Sequence, residues 1–518
     1  MSRFRRAIHG VAAGYVSLIG AAFYSFASVP LALHYLSKER FALWALMVSI
    51  GGYLSLIDLG MSGSLARLLI DHKDDREGGT YGSLIQTGWG VLLVQGAMIW
   101  LVGFVLASPL CDLVHIQADL KTEFIGLMRW QSATLALGFA MRIFSHLLQA
   151  HQRVDVVNYC QVAMLGFNFI LLWFFFHRGQ GVFSLVWASL LSAFGNAAVL
   201  SSGCWRLGLF PRAGGWGRAS WGYFREIFNF GKDLFLVAVG AQLVMASQTI
   251  IIARTLGLQT AAAWSIGTRM FNLVCQVIWR ISDVSSLAFA EMIVRGEKPL
   301  VQERYKSMVI LTASLSGLAA IACALCNSPF VAVWTNQRIY WPPLNDILLG
   351  AWMIVLALVH AHNGFVLTTK KVGFMRYVYF VEGTVFVIGA LGASKWGGMP
   401  AVILWSVVCS TAFSGAYGVW RISQYFNLSI LEVGGRWLVP MGKAIVFFAP
   451  LALIVWLLSK PVNDFSVRLG VNVAFCGLFG TYFFLRYGIS NTFQLELIQR
   501  APKRINPILR RVFAGASH

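Results

Sequence analysis

Stretches of roughly 20 or more predominantly apolar residues recur from one end of the chain to the other, and each is long enough to cross a bilayer's hydrocarbon core as a helix. This constrains the fold more than any other feature. Of the 518 residues, 58% are hydrophobic and only 12% are charged. A soluble domain carries about 25% charged residues. The mean hydropathy is +0.68. A membrane barrel requires short segments of alternating polarity, which the chain lacks, so its spans are helical. The expected fold is an all-α polytopic membrane protein with about 14 transmembrane helices. The spans fall near 8–36, 41–66, 81–109, 122–150, 156–177, 181–205, 232–256, 261–293, 305–326, 344–369, 372–394, 398–420, 439–459 and 466–486.

The net charge of +20 (41 Lys and Arg against 21 Asp and Glu) reads as topology, with no nucleic-acid partner expected. With the N-terminus in the cytoplasm, cytoplasmic segments hold 27 Lys and Arg and the opposite side holds 8. That asymmetry matches the positive-inside rule and puts both termini in the cytoplasm. The longest internal connection, Leu207–Gly231, interleaves Arg212, Arg218 and Arg225 with Trp216, Trp221 and Tyr223. This composition suits the cytoplasmic headgroup layer. It follows six spans, where a six-plus-six transporter needs a link. The expected division is an N-terminal six-helix lobe (1–206), an interfacial linker (207–231), a C-terminal six-helix lobe (232–425), an appended helix pair (426–487) and a basic cytoplasmic tail (488–518). In that tail Ile505, Ile508, Leu509 and Val512 beside Lys503, Arg504, Arg510 and Arg511 read as a surface helix or a solvated tail.

The eight cysteines mostly lie in or beside apolar runs, so Cys323 and Cys326 read as packing residues, not as a redox or metal pair. Arg3, Arg5 and Arg6 precede an apolar run too long for a signal peptide, which implies an uncleaved first helix. No connection exceeds roughly 30 residues, and no Walker A, GxSxG or HExxH pattern is present. No cofactor and no catalytic residue is expected, and the chain is read as a transporter and not an enzyme.

Leu36–Leu69 has a weak echo 220 residues later: LSKERFALW at Leu36–Trp44 against LGLQTAAAW at Leu256–Trp264. A second echo pairs Arg153-Val154 with Lys371-Val372. Related halves of this kind recur in transporters. The first stretch continues into LIDLGMSGSLARL at Leu56–Leu68. A short extracytoplasmic turn, an aromatic-rich helix and this Asp-Leu-Gly run resemble the O-antigen and polysaccharide flippases. Those belong to the multidrug/oligosaccharidyl-lipid/polysaccharide (MOP) exporter superfamily. The resemblance covers nearly the whole chain by length and hydropathy, and this stretch by wording. It implies two pseudo-symmetric six-helix bundles plus a C-terminal helix pair in a bacterial inner membrane. It also implies transport of an undecaprenyl-diphosphate-linked oligosaccharide from the cytoplasmic to the periplasmic leaflet. The oligosaccharide would be a repeat unit of O-antigen lipopolysaccharide, capsule or exopolysaccharide. The implied partners are that lipid-linked sugar, the bilayer, and the polysaccharide polymerase and chain-length machinery. The alternatives are a lipid II flippase or multidrug/cation antiporter of the same superfamily, and a membrane-embedded polysaccharide polymerase or ligase.

The eighth span carries the longest polar stripe. Ser265, Arg269, Asn272, Gln276, Arg280 and Asp283 are spaced by 4, 3, 4, 4 and 3 residues, which puts them on one helix face. Met270, Val274, Val277, Ile278 and Ile281 take the other face. A single Arg at the bilayer centre costs at least ~2.5 kcal/mol facing lipid, so the stripe lines a cavity or meets partners. The competing reading is an internal ion-pair ladder in which Arg280 meets Asp283 or Asp58. In the fourth span Arg142, His146, Gln149 and Arg153 share a face, and Arg129 lies higher. Arg269, Arg280, Asn272, Gln276, Arg142 and Arg129 are the candidate substrate-binding residues. Asp283, Glu291, Asp58 and Glu382 are the candidates for ion coupling. Ser17, Tyr24 and Ser28 with Ala21 form a milder stripe in the first span, and His360 and Asn363 share a face in the tenth. Deep Arg outnumbers deep acid in the best-defined stripes. Because Arg binds phosphate through a planar fork, this favours an anionic substrate.

Overall fold

The computed structural model describes residues 3–490 except 213 and 370–372, together with Gln494, Ile498 and Phe513. The expected tail helix around Ile505–Val512 and the Lys371-Val372 echo lie outside the described residues, as do the side chains of Arg3, Arg5 and Arg6.

The described residues form helices joined by short turns. In chain order they are α1 (Arg3–Tyr35), α2 (Lys38–Leu54), α3 (Met61–His72), α4 (Thr80–Leu113), α5 (Lys121–Ala140), α6 (Arg142–Ala150), α7 (Val154–His177) and α8 (Phe183–Arg206). There follow α9 (Trp221–Met245), α10 (Ser247–Leu256), α11 (Leu258–Gly267), α12 (Arg269–Val294), α13 (Lys298–Trp334) and α14 (Pro343–Thr368). After these come α15 (Met375–Ser410), α16 (Ala416–Phe426), α17 (Ile430–Gly434), α18 (Val439–Ser459), α19 (Phe465–Phe475) and α20 (Thr481–Tyr487). Among the described residues, twelve helical segments are long and apolar enough to cross a membrane. The fourteen expected spans differ from this count at two places. The fourth is broken at Met141 into α5 and α6, and it carries Lys121, Glu123, Arg129 and Arg142. The eleventh and twelfth form one continuous stretch, Met375–Phe426. That stretch nonetheless turns at Gly397 (φ −139°, ψ 15°) and Gly398 (φ 63°, ψ −148°). Trp405 Nε1 then donates back to the Phe386 carbonyl (3.2 Å), so the two runs lie antiparallel.

The chain divides into two compact units, Met1–Ala262 and Ala263–His518. The seventh span, α9–α10, packs with the first unit, so the division falls within α11 and not at the linker.

In the first unit α1 and α7 run parallel. Ser17 Oγ donates to Gln161 Oε1 (2.9 Å) and, seven residues on in both helices, Tyr24 OH donates to Asn168 Oδ1 (2.6 Å). The small-polar stripe of the first span therefore meets a helix. Glycines let α4 and α5 approach antiparallel: a Cβ at Gly96 would sit 2.7 Å from the Ala136 carbonyl oxygen, and one at Gly103 would sit 2.4 Å from Ser132. At the opposite end from the linker, Arg40 holds Glu123 through two hydrogen bonds (2.8 and 3.0 Å). The linker docks on the α3–α4 connection. Arg76 donates to the Gly208 carbonyl (2.6 Å) and to His151 Nε2 (2.8 Å). Burial pushes the His151 pKa down, which keeps Nε2 a neutral acceptor for Arg76. Ser83 and Thr87 hydroxyls accept the backbone N–H groups of Arg218 and Ser220 (3.0 Å each). Trp221 stays 76% exposed beside this joint.

In the second unit the long α13 is flanked by α12, α14, α18 and α19. Around its N-terminal part a core gathers Tyr305, Phe289, Phe365, Phe426 and Trp437, with Tyr305 OH and His362 Nδ1 2.7 Å apart. The last helix pair is anchored by Asn472 Nδ2 donating to the Leu325 carbonyl (2.8 Å). Cys323 and Cys326 are buried thiols in this packing. Helix surfaces elsewhere are apolar and exposed, as at Val94, Val105, Val446 and Leu458. A water-soluble monomer does not carry such an extent of exposed apolar surface. The protein is a multi-pass membrane protein.

Candidate functional site

The helix break that precedes the polar stripe is built by its neighbours. Thr268 interrupts the helix between α11 and α12, with Thr268 Oγ1 donating to the Trp264 carbonyl (2.7 Å). Gly267 faces the Trp341 ring so closely that a Cβ would lie 2.2 Å from it. Asn327 Nδ2 donates to the Gly267 carbonyl from the side (2.8 Å).

Beyond the break α12 has two chemically distinct faces. One is buried against α13 and α14: Phe271 stacks on Trp352 (5.3 Å), Trp279 stacks on His360 (4.9 Å), and Phe289 meets Phe365 edge-on (5.6 Å). Cys275 and Ile278 are buried on the same side. The other face presents Asn272, Gln276, Arg280 and Asp283, all exposed. Four of the six stripe residues thus share an open face, while Ser265 and Arg269 are half-buried. Val277, expected on the apolar face, is 47% exposed. The helical rise places Arg269 and Arg280 ~16 Å apart along the axis.

Asp283 pairs with His360 Nε2 (2.8 Å). Arg280 has no ion pair or hydrogen bond among the described residues. Within the second unit, then, the expected Arg280–Asp283 rung is absent, and His360 has an acidic partner. A cavity of about 380 Å³ opens here, lined by Ser282, Asp283, Ser286, His360, Gly364 and Thr368. Glu291 lies farther along α12, exposed and paired with Arg295.

The remaining candidates have local partners. Arg129 lies over the Phe104 ring (4.3 Å) and Arg142 over the Phe139 ring (3.7 Å). Around them His146 is buried with neither ring nitrogen hydrogen-bonded, Gln149 is exposed and Arg153 pairs with Asp155 (3.1 Å). The fourth-span face is therefore not uniformly open. Asp58 accepts from the hydroxyl and the backbone N–H of Ser62 (3.3 Å for the latter), stabilising the start of α3. Glu382 is buried and accepts from Ser414 N (3.2 Å), in the π-turn Thr411–Gly415. Asn363 bridges Tyr379 OH (3.0 Å) and the Ser414 carbonyl (3.2 Å) beside it.

Two features escaped the sequence. An apolar groove of about 580 Å³ in the first unit is lined by Ile57, Gln86, Val94, Gln95, Phe224 and Phe228. Its residues come from three distant segments with no shared spacing. Asp346 is 1% exposed, at the start of the expected tenth span, and was not among the candidate acids.

The family described as polysaccharide biosynthesis protein matches residues 33–339. The chain belongs to the polysaccharide biosynthesis protein family. No curated protein matches it in sequence. Among solved structures it is similar to an inward-facing multidrug-resistance MATE transporter of the MOP superfamily. That match has TM-score 0.67 and 13% identity, covering 78% of this chain and 94% of that one. It is also similar to the lipid II flippase MurJ in an inward closed conformation, with TM-score 0.65 and 10% identity over 92% and 99% of the two chains. A third match is a MOP transporter from Pyrococcus furiosus whose binding pocket is described as having reversed polarity (TM-score 0.58, 13% identity, 82% and 95% covered). The fold is that of MOP-superfamily transporters.

Proposed function

We propose that the protein is a flippase moving an undecaprenyl-diphosphate-linked oligosaccharide from the cytoplasmic to the periplasmic leaflet of a bacterial inner membrane. The observation that carries this reading is the open polar face of α12, where Arg280 is exposed and pairs with no acid among the described residues. A permanently charged planar fork in that position suits a diphosphate. Family membership supports a role in polysaccharide assembly. The sugar diphosphate travels along the Asn272–Asp283 face by alternating access, while the polyprenyl chain stays in lipid. An inside-negative potential favours outward movement of an anion by ~2.3 kcal/mol per charge per 100 mV.

In this reading Arg269, Asn272, Gln276 and Arg280 bind substrate, with Arg129 and Arg142 as further basic contacts. Asp283 with His360, and Glu382, are the ion-coupling candidates; Asp58 and Glu291 are the weaker ones because each is held within its own stretch of chain, by Ser62 and Arg295, whereas Asp283 and Glu382 reach across to other segments. The six-plus-six lobes, the appended pair and the cytoplasmic termini belong to the same proposal. Deleting the gene from its host should abolish surface polysaccharide and leave the lipid-linked repeat unit in the cytoplasmic leaflet. Surface polysaccharide of normal amount in the deletion strain contradicts the reading. Loss of lipid II transport instead would move the protein to the other flippase branch.

A further inference from the structure

We infer that the apolar groove of the first unit binds an anionic glycerophospholipid, with one acyl chain in the groove and the phosphate held by Arg218 and Arg225. The groove holds about 580 Å³. Its walls are α4 and the first turns of α9, and its floor is the turn between α2 and α3, at Ile57 and Leu59. From α9 come Trp221, Phe224 and Phe228, spaced by 3 and 4 residues on one helix face. Their rings stack in series, Trp221 on Phe224 at 4.6 Å and Phe224 on Phe228 at 6.2 Å.

The length of the groove suits one acyl chain. Along α4 the lining runs from Thr87, whose hydroxyl accepts from the Ser220 N–H (3.0 Å), to Met98. Those eleven residues of helix rise ~16 Å. The hydrocarbon of one leaflet is half of a core about 30 Å thick. The groove therefore begins at the interfacial linker and reaches the depth that the acyl chain of one leaflet covers. An undecaprenyl chain is much longer and would overrun it.

The charge at its mouth suits an anionic headgroup. The stretch 207–231 carries Arg212, Arg218 and Arg225 against Glu226 alone. Arg212 is taken by Glu77. Arg218 and Arg225 are exposed, and neither guanidinium has an ion pair or hydrogen bond among the described residues. Arg218 stands two residues before Ser220, which lines the groove. Arg225 falls about 40° from Trp221 around α9 and one turn further along, while Glu226 lies about 100° beyond it. Trp221, 76% exposed, is a residue type that settles at the membrane–water interface. Two unpaired guanidinium groups beside an apolar slot complement a phosphate diester that carries acyl chains. A zwitterionic lipid brings its own cation next to the phosphate and gains less there. The site does not rest on the flippase reading, which only makes the leaflet the cytoplasmic one.

The test uses the purified full-length protein in detergent, with bound lipid counted by native mass spectrometry. The wild type should bind phosphatidylglycerol about tenfold more tightly than phosphatidylcholine of the same chains. Arg218→Ala combined with Arg225→Ala should remove that preference and leave phosphatidylcholine binding as it was. Gly90 lines the groove, and a Cβ there meets nothing within 4 Å. Gly90→Leu should therefore keep or raise the Tm in lipid-free detergent, fill the groove and weaken both lipids about tenfold. The wild-type comparison and the arginine variant hold whatever Gly90→Leu does to folding. Four results overturn the site: equal affinity of the wild type for the two lipids; a phosphatidylglycerol preference that survives loss of both arginines; full lipid binding by a folded Gly90→Leu; or displacement of phosphatidylglycerol by an equal amount of undecaprenyl diphosphate, which makes the groove a place for the polyprenyl chain.

Discussion

The second span and the eighth occupy corresponding places in the sequence, 220 residues apart, yet they treat their polar residues in opposite ways. At the start of both, the echoed segments touch: Gln259 Nε2 donates to Glu39 Oε1 (2.6 Å), and these residues are themselves 220 apart. Both spans then break. In the second, the chain turns at Leu59 (φ 50°) and Gly60 (φ 73°), and Asp58 satisfies the N-terminus of α3. Gln95 donates to the carbonyls of Ile57 (3.1 Å) and Asp58 (2.9 Å) that the turn frees. In the eighth, the break at Thr268 is held by Asn327 and Trp341, and Asn272, Gln276, Arg280 and Asp283 beyond it stay exposed. The acid of one span is absorbed by its own backbone. In the other, Arg280 stays exposed with no ion pair among the described residues, which is what a binding surface requires. The Asp-Leu-Gly wording is thus explained by geometry: an acceptor, a left-handed residue and a glycine at a close approach.

The largest effect that sharpens this contrast is steric. A Cβ on Gly60 would lie 2.6 Å from the Gly231 carbonyl oxygen, at a φ that already disfavours other residues. Gly60→Ala should destabilise the first unit by about 3 kcal/mol, seen as a large fall in Tm and in membrane-inserted protein. Gly63→Ala meets nothing within 4 Å and should be tolerated. Unchanged Tm in Gly60→Ala would remove the close approach from the account.

Next comes Asp58→Ala, which should cost about 1 kcal/mol for the lost helix-start contacts while transport per molecule stays near normal. A transport defect with unchanged Tm would make Asp58 functional and erase the contrast with the eighth span.

Smaller still are labelling differences. In a background with other native cysteines removed, Cys at Asn272 or Gln276 should react with water-soluble maleimide. Native Cys275, on the buried face, should stay protected together with Cys at Ile278. Equal protection at all four positions would mean that the polar face is sealed.

Much of the fold was legible because spans follow from apolar length. Gly397–Gly398 was read as a boundary between spans for the same reason. The α12 stripe was legible because helical periodicity needs only one segment. Partners were not legible, since they depend on which helices meet. His360 was read alone and lies against Asp283, 77 residues away in sequence. Asp346 falls inside the expected tenth span but was not singled out, because its partners Asn327 and Trp341 meet it only through tertiary packing. The fourth-span face failed as a set because burial differs among its members: His146 is inside and Gln149 is outside.

The central claim is that the α12 face carries the diphosphate, and Arg280 tests it most directly. Arg280→Ala, expressed in a strain lacking the endogenous gene, should lose surface polysaccharide by at least tenfold at unchanged membrane protein level. Arg280→Lys should retain part of it, because the charge remains and the bidentate fork is lost. Normal polysaccharide display by Arg280→Ala, at wild-type protein level, would contradict the account.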